Sequence, residues 1–157
     1  ILKKLDCLND TSIIFTSPNS DTGSDYILKK IHAYVKKNSH SRFIKSAGRK
    51  LYLSLLKNAW CIIGNSSSCL VEAPYLNTPT ILVGDRQTGR PISSSVLVSD
   101  YNYTSITKAF DKLKDKKFIK NIAKDIKYLP KKSLEKILSI LSKTDISKIL
   151  LKGFSDL

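Results

Sequence analysis

The sequence predicts an α/β fold built on a Rossmann-like, doubly wound parallel sheet. Three observations carry that prediction. Short apolar runs alternate with stretches of helical period, which is the signature of βαβ units. The runs are apolar throughout, as in strands covered on both faces. Each run ends in a polar loop rich in Ser, Asn, Asp and Gly, and right-handed crossovers between such strands leave those loops along one edge.

Residues 2–8 place apolar side chains at helical spacing and read as the end of a helix, closed by the turn cluster 9–12. Ile13–Thr16 is the first predicted strand. The loop 17–23 follows, and Ser24 is placed to cap a helix reaching Lys37, with Asp25 in its first turn. Arg42–Lys45 is the second strand, and a helix is expected over 50–58. Trp60–Ile63 is the third strand, Gly64–Ser68 a loop, and Cys69–Leu76 a short helix stopped by Asn77-Thr78-Pro79. Thr80–Val83 is the fourth strand, Gly84–Pro91 a loop, and Ser95–Val98 the fifth strand. From Thr104 onward the pattern is helical, with breaks at Pro130 and near Thr144. One domain spans 1–157, with an α/β core over 1–100 and a helical tail over 101–157.

Composition narrows the function. The chain has 157 residues, 41% of them hydrophobic, enough for a real core. No run of about 18 apolar residues exists, so no membrane span or membrane partner is expected. No secretory signal is visible, and the expected location is cytoplasmic. The net charge is +14. Much of the excess sits in 101–157, where 14 lysines face six acidic residues and there is no arginine. Lysines beating with Leu and Ile read as the solvated faces of amphipathic helices, and no nucleic-acid partner is expected. The three cysteines form no C-x-x-C pair and read as small buried hydrophobes. His32 and His40 have no ligand partners at metal spacing, so neither a metal nor a cofactor is expected. The chain contains no methionine and opens at Ile1, which reads as a piece of something longer.

The chemistry lies in the loops. From Trp60 to Gly84 the only charged side chain is Glu72. Asn65, Ser66, Ser67 and Ser68 precede the predicted helix, and serine hydroxyls with a helix N-terminus suit an anion such as a diphosphate. Glu72 offers two acceptor oxygens, which match two adjacent ribose hydroxyls. The same residues are open to a plainer reading, in which a serine caps the helix and Glu72 complements its dipole. Arg86 and Arg90 are the only Lys or Arg between Lys57 and Lys108. Their guanidinium forks fit phosphate, although a flexible surface loop could also carry them. Asn19, Asp21, Gly23 and Ser24 form a further loop. Tyr52 can stack on a base or serve as a core tyrosine beside Leu55 and Leu56.

Four segments then occur in one order. They are Ser17-Pro18-Asn19-Ser20-Asp21-x-Gly23-Ser24, Leu51-Tyr52-Leu53-Ser54-Leu55-Leu56-Lys57-x-Ala59, Gly64-Asn65-Ser66-Ser67-Ser68-x-x-x-Glu72-Ala73-Pro74 and Gly84-Asp85-Arg86-Gln87-x-Gly89-Arg90. Together they resemble the C-terminal, UDP-binding domain of hydrolysing UDP-N-acetylglucosamine 2-epimerases. The resemblance is close from Ile13 to about Val98 and fades in the lysine-rich tail. Ser66-Ser67-Ser68 favours the hydrolysing branch over the non-hydrolysing one, which typically has a Ser-Gly-Gly variant.

The resemblance implies one half of a GT-B-type two-domain fold, with an N-terminal domain as partner and a homo-oligomer at full length. It implies UDP and UDP-N-acetylglucosamine as ligands. Ser66 and Ser67 would hold the diphosphate, Glu72 the ribose hydroxyls, and Tyr52 would lie near the uracil. Arg86 would reach the phosphate or sugar side, with Asn65, Ser68, Arg90, Asn19 and Ser24 as further contacts. The implied reaction gives N-acetylmannosamine and UDP for sialic-acid-type sugars. Its proton-transferring groups lie mainly in the other domain, so no catalytic residue is expected among these 157 and the isolated chain should be inactive. Alternatives are an epimerase for a diacetamido-dideoxy UDP-sugar, a GT-B glycosyltransferase donor domain and a basic, non-enzymatic binding module.

Overall fold

A computed structural model describes residues 1–8, 10–122 and 132–145. The chain divides into two compact units, 1–126 and 127–157. In the first, the elements run α1 (Leu2–Leu5), β1 (Ile13–Thr16), α2 (Ser24–Lys37), β2 (Ser41–Ile44), α3 (Gly48–Asn58) and β3 (Ile62–Gly64). A 3-10 turn at Ser67–Cys69 leads to α4 (Glu72–Tyr75), β4 (Thr80–Val83), β5 (Val96–Ser99), α5 (Tyr103–Leu113) and α6 (Lys116–Ile122). Every strand pair is parallel, and the strands flanked by helices give the α/β class that the sequence predicts.

The strands hydrogen-bond as two ladders, β1–β2 and β3–β4–β5. Ile13 lies opposite Ser41, while Ile81 stands between Ile63 and Leu97. All four residues of β4 are buried, as a strand covered on both faces requires. Ile13, Tyr34, Ile81, Val83, Ile106, Phe110 and Leu113 form one core cluster, with Phe15, Cys61 and Ile63 packed against it. The two ladders therefore share a core. A second cluster of Cys69, Leu82 and Val96 packs with Ile62 and Leu70 directly below the serine loop.

Several local expectations change, among them a one-residue shift of the second strand to Ser41–Ile44 and of the fifth to Val96–Ser99. The third strand begins at Ile62 and not at Trp60. Its ladder starts where Ile62 pairs with Thr80, and the residue before Thr80 is Pro79, which has no N–H to extend the pairing. Trp60 is left exposed, its ring tilted against Phe110 at 6.2 Å between centroids. Ser24 is the first helical residue of α2, and Gly23, at φ +86°, holds the cap position. The predicted helix 69–76 is interrupted after the 3-10 turn and restarts at Glu72. Pro74 explains the restart, because proline is tolerated only in a first helical turn, where its missing N–H has no intrahelical carbonyl to meet.

The α4 turn ends at Asn77, whose φ of +56° is a conformation that asparagine tolerates. Thr78 follows, fully inside the fold, and its hydroxyl donates to the Leu56 carbonyl at 2.9 Å. The same carbonyl accepts the Ala59 N–H at 3.2 Å, so the bond ties the segment after α4 to the last turn of α3.

In the second unit, α7 (Ser133–Lys143) has no buried residue, and Leu134, Ile137, Leu138, Ile140 and Leu141 are exposed. It stops beside Thr144, where the sequence predicts a break. The expected break at Pro130 lies outside the described residues. In α5, Ile106, Ala109, Phe110 and Leu113 are buried while Lys108 and Lys112 face solvent, as does Lys114 just beyond it, the division its lysine pattern predicts. Among the described residues, no helix is long and apolar enough to cross a membrane.

Candidate functional site

The loops after β1, β3 and β4 meet at the carboxyl ends of the strands. They bound a cleft of about 370 Å³ lined by Asn19, Ser66, Ser67, Ser68, Arg86, Gln87 and Arg90. Six of these seven residues are expected from the sequence, and the topology brings them together from three separate loops. Ser24, Tyr52, Asn65 and Glu72 are not lining residues. Asn65 is exposed, the other three are half-buried, and Glu72 opens α4 just beyond the serine loop.

The serine loop is shaped by its 3-10 turn. Backbone bonds begin with the Cys69 N–H to the Ser66 carbonyl at 3.1 Å, so the Ser67 and Ser68 N–H groups open the turn without an intrahelical partner. Ser66 holds the cap position of this turn but makes no side-chain capping bond, which removes the plain capping reading for it. The Ser68 hydroxyl is 2.6 Å from the Tyr52 hydroxyl on α3. Burial pushes the Tyr52 phenol above its usual range, more than its bond with Ser68 lowers it. Tyr52 is thus a neutral hydroxyl at physiological pH and braces the serine loop from behind. Below the loop, burial raises the Cys69 thiol against the lowering effect of Ser66, and burial pushes the Cys61 thiol up to about 12. Neither is a reactive thiolate. Cys7 departs from the buried reading: it is exposed at the end of α1, where the chain has just left the core.

The arginine loop, 84–91, is held by side chains at three points. Tyr101 donates to Asp85 at 2.9 Å, Arg86 pairs with Asp21, and Gln87 Nε2 donates to the Asn65 carbonyl at 2.8 Å. Gln87 is buried, and the sequence reading omits it from the site. Nothing in the sequence marks a loop glutamine as buried. Gly84 opens the loop at φ +81° and donates its N–H to Ser99 at 2.8 Å.

The arrangement presents rotatable hydroxyls and two guanidinium groups to one small space. That donor set suits a phosphate or diphosphate, and it contains no carboxylate or imidazole to move a proton. His32 instead packs edge-on against Phe43 at 4.7 Å between centroids. Among the described residues, no group of three His, Cys, Asp or Glu side chains could hold a metal.

The family profile described as UDP-N-acetylglucosamine 2-epimerase matches residues 1–142. The chain belongs to that family. Among epimerase-family relatives, it is 42% identical over 122 residues to the GDP/UDP-N,N'-diacetylbacillosamine 2-epimerase (hydrolyzing) of Campylobacter jejuni, covering 77% of this chain and 31% of that protein. It is 38% identical over 111 residues to polysialic acid biosynthesis protein P7 of Escherichia coli, covering 71% of this chain and 28% of that one. It is 37% identical over 101 residues to the UDP-N-acetylglucosamine 2-epimerase of Neisseria meningitidis serogroup B, covering 63% and 26%. The chain thus spans about 30% of the length of these curated relatives.

Proposed function

We propose that this chain is the UDP-binding part of a hydrolysing UDP-N-acetylglucosamine 2-epimerase, one that converts UDP-N-acetylglucosamine and water to N-acetylmannosamine and UDP. The observation that carries the reading is the cleft itself, where Ser66 and Ser67 face Arg86 and Arg90 from a different loop. In this reading Ser66 and Ser67 bind the diphosphate, Ser68 and Asn65 shape the loop, and Asn19 closes the far wall. Glu72 holds the ribose hydroxyls, Tyr52 flanks the uracil, and Ser24 is a peripheral contact.

As the C2 proton is removed, the C2–H electron pair forms a C1=C2 double bond, the C1–O bond breaks and its pair leaves on the UDP diphosphate. Water then adds to the glycal-type intermediate, its hydroxyl to C1, while a proton returns to the opposite face of C2 and inverts it. Preorganised donors aimed at the leaving diphosphate stabilise the charge that develops on it. The cleft-lining residues supply that stabilisation and no general base, so the proton-transferring groups belong to other parts of the enzyme. The similarity to the Campylobacter enzyme supports a second reading, in which the sugar is a diacetamido-dideoxy one.

Calorimetry with UDP tests the site. Glu72→Ala should weaken both UDP and uridine, whereas Ser67→Ala should weaken UDP alone. A folded protein that ignores millimolar UDP rules the reading out. Turnover of the two UDP-sugars by the full-length protein distinguishes the substrates.

A further inference from the structure

We propose that Gln87 is a positioning residue of the diphosphate site, its side-chain amide clasping the arginine loop to the serine loop so that both address the same ligand. The inference rests on the UDP reading above and adds a residue which that reading does not use.

Gln87 is 6% exposed, whereas its neighbours from Asp85 to Ile92 are all exposed. Of the three side chains that hold the loop, this is the buried one. Nε2 donates to the Asn65 main-chain carbonyl at 2.8 Å, a contact across 22 residues of sequence. A carbonyl only accepts, so this bond fixes which way the amide points. Oε1 is buried and meets no protein donor. A buried acceptor without a donor is a cost that an apolar side chain of similar size avoids, and such groups call for a functional reason.

The loop geometry supplies that reason. The Thr88 N–H bonds the Asp85 carbonyl at 2.9 Å, and the Arg90 N–H bonds the Gln87 carbonyl at 3.2 Å. Gln87 is thus shared by two consecutive turns, with Arg86 entering it and Arg90 leaving it. A displacement of Gln87 moves both arginines relative to Ser66 and Ser67. The second anchor, Arg86 to Asp21, joins two half-exposed groups and cannot replace a buried tether.

The test compares UDP with uridine in wild type, Gln87→Leu and Gln87→Glu. Leucine removes the donor, and glutamate keeps the shape while turning an acceptor toward the Asn65 carbonyl. Loss of the clasp should weaken UDP about tenfold, the size of one displaced charge-assisted contact, and leave uridine within about twofold. The melting temperature of Gln87→Leu should stay near that of wild type, while Gln87→Glu, which sets a buried carboxylate against a carbonyl, should melt lower. If wild type binds no UDP, the underlying reading fails. If wild type binds and both variants match it, the clasp is wrong. Equal weakening of UDP and uridine, or variants that do not fold, would make Gln87 a structural residue and overturn the proposal.

Discussion

Replacing Gly84 with alanine separates backbone strain from steric clash at the mouth of the arginine loop. The φ of +81° is one that L-residues rarely adopt, and holding alanine there costs about 1 kcal/mol. An added Cβ would also lie 2.3 Å from Cζ and Oη of Tyr101, which is inside any allowed contact. Those atoms are the far end of a side chain that is 68% exposed, so the ring can swing into solvent. The clash then costs little beyond the Tyr101–Asp85 bond, about 0.5–1 kcal/mol for a surface contact. The sum is about 1.5–2 kcal/mol, or a fall in melting temperature of roughly 3–8 °C for a chain of this size. Urea denaturation should show Tyr101→Ala costing about a third to a half of that. The double variant should be no less stable than Gly84→Ala alone, because the tyrosine contact is already lost. A Gly84→Ala protein as stable as wild type would refute the argument, as would full additivity in the double variant.

Tyr52→Phe removes the brace on Ser68 and should cost about 1 kcal/mol of stability, while UDP binds several-fold more weakly by calorimetry. Asp21→Asn should change stability by less than about 0.5 kcal/mol, because the pair is half exposed. It should tighten UDP about two- to fivefold by removing the carboxylate that competes for Arg86, and weaker binding would argue against that competition. Stability should fall in alkali. The Cys61 thiol, pushed up to about 12 from an ordinary value near 9, and the Tyr34 phenol, pushed up to about 12 by burial and by Asp6, both stay protonated in the fold. Their contribution is complete below the unfolded values and is lost as pH rises from about 9 toward 12. Urea midpoints at pH 8, 10 and 11 should decline, with a shallower slope in Cys61→Ala.

Ile13–Thr16 and Thr80–Val83 were legible to the residue, since each is an apolar run closed by turn-formers at both ends. Trp60 is as apolar as its neighbours, but strand pairing depends on the partner, and Pro79 is 19 residues away. The break before Glu72 was readable in principle, because Pro74 cannot sit deep in a helix; hydrophobic periodicity alone passes over it. In the site, Ser66–Ser68, Arg86 and Arg90 were visible as rare polar chemistry in an apolar stretch. Gln87 was not, because glutamine in a loop carries no sign of burial. The Arg86–Asp21 pair joins residues 65 apart, and only the fold makes them neighbours.

Parallel ladders have one further consequence for this cleft. Its walls come from the segment after the first strand of one ladder and from two segments of the other, and among the described residues no hydrogen-bonded strand pair joins the two ladders. A ligand gripped by Asn19, the serines and the arginines at once is therefore a non-covalent rivet across the seam between them. At about a hundred times its dissociation constant, such a ligand adds about 2.7 kcal/mol to unfolding. Hydrogen exchange should register that gain in both ladders, β1–β2 and β3–β4–β5.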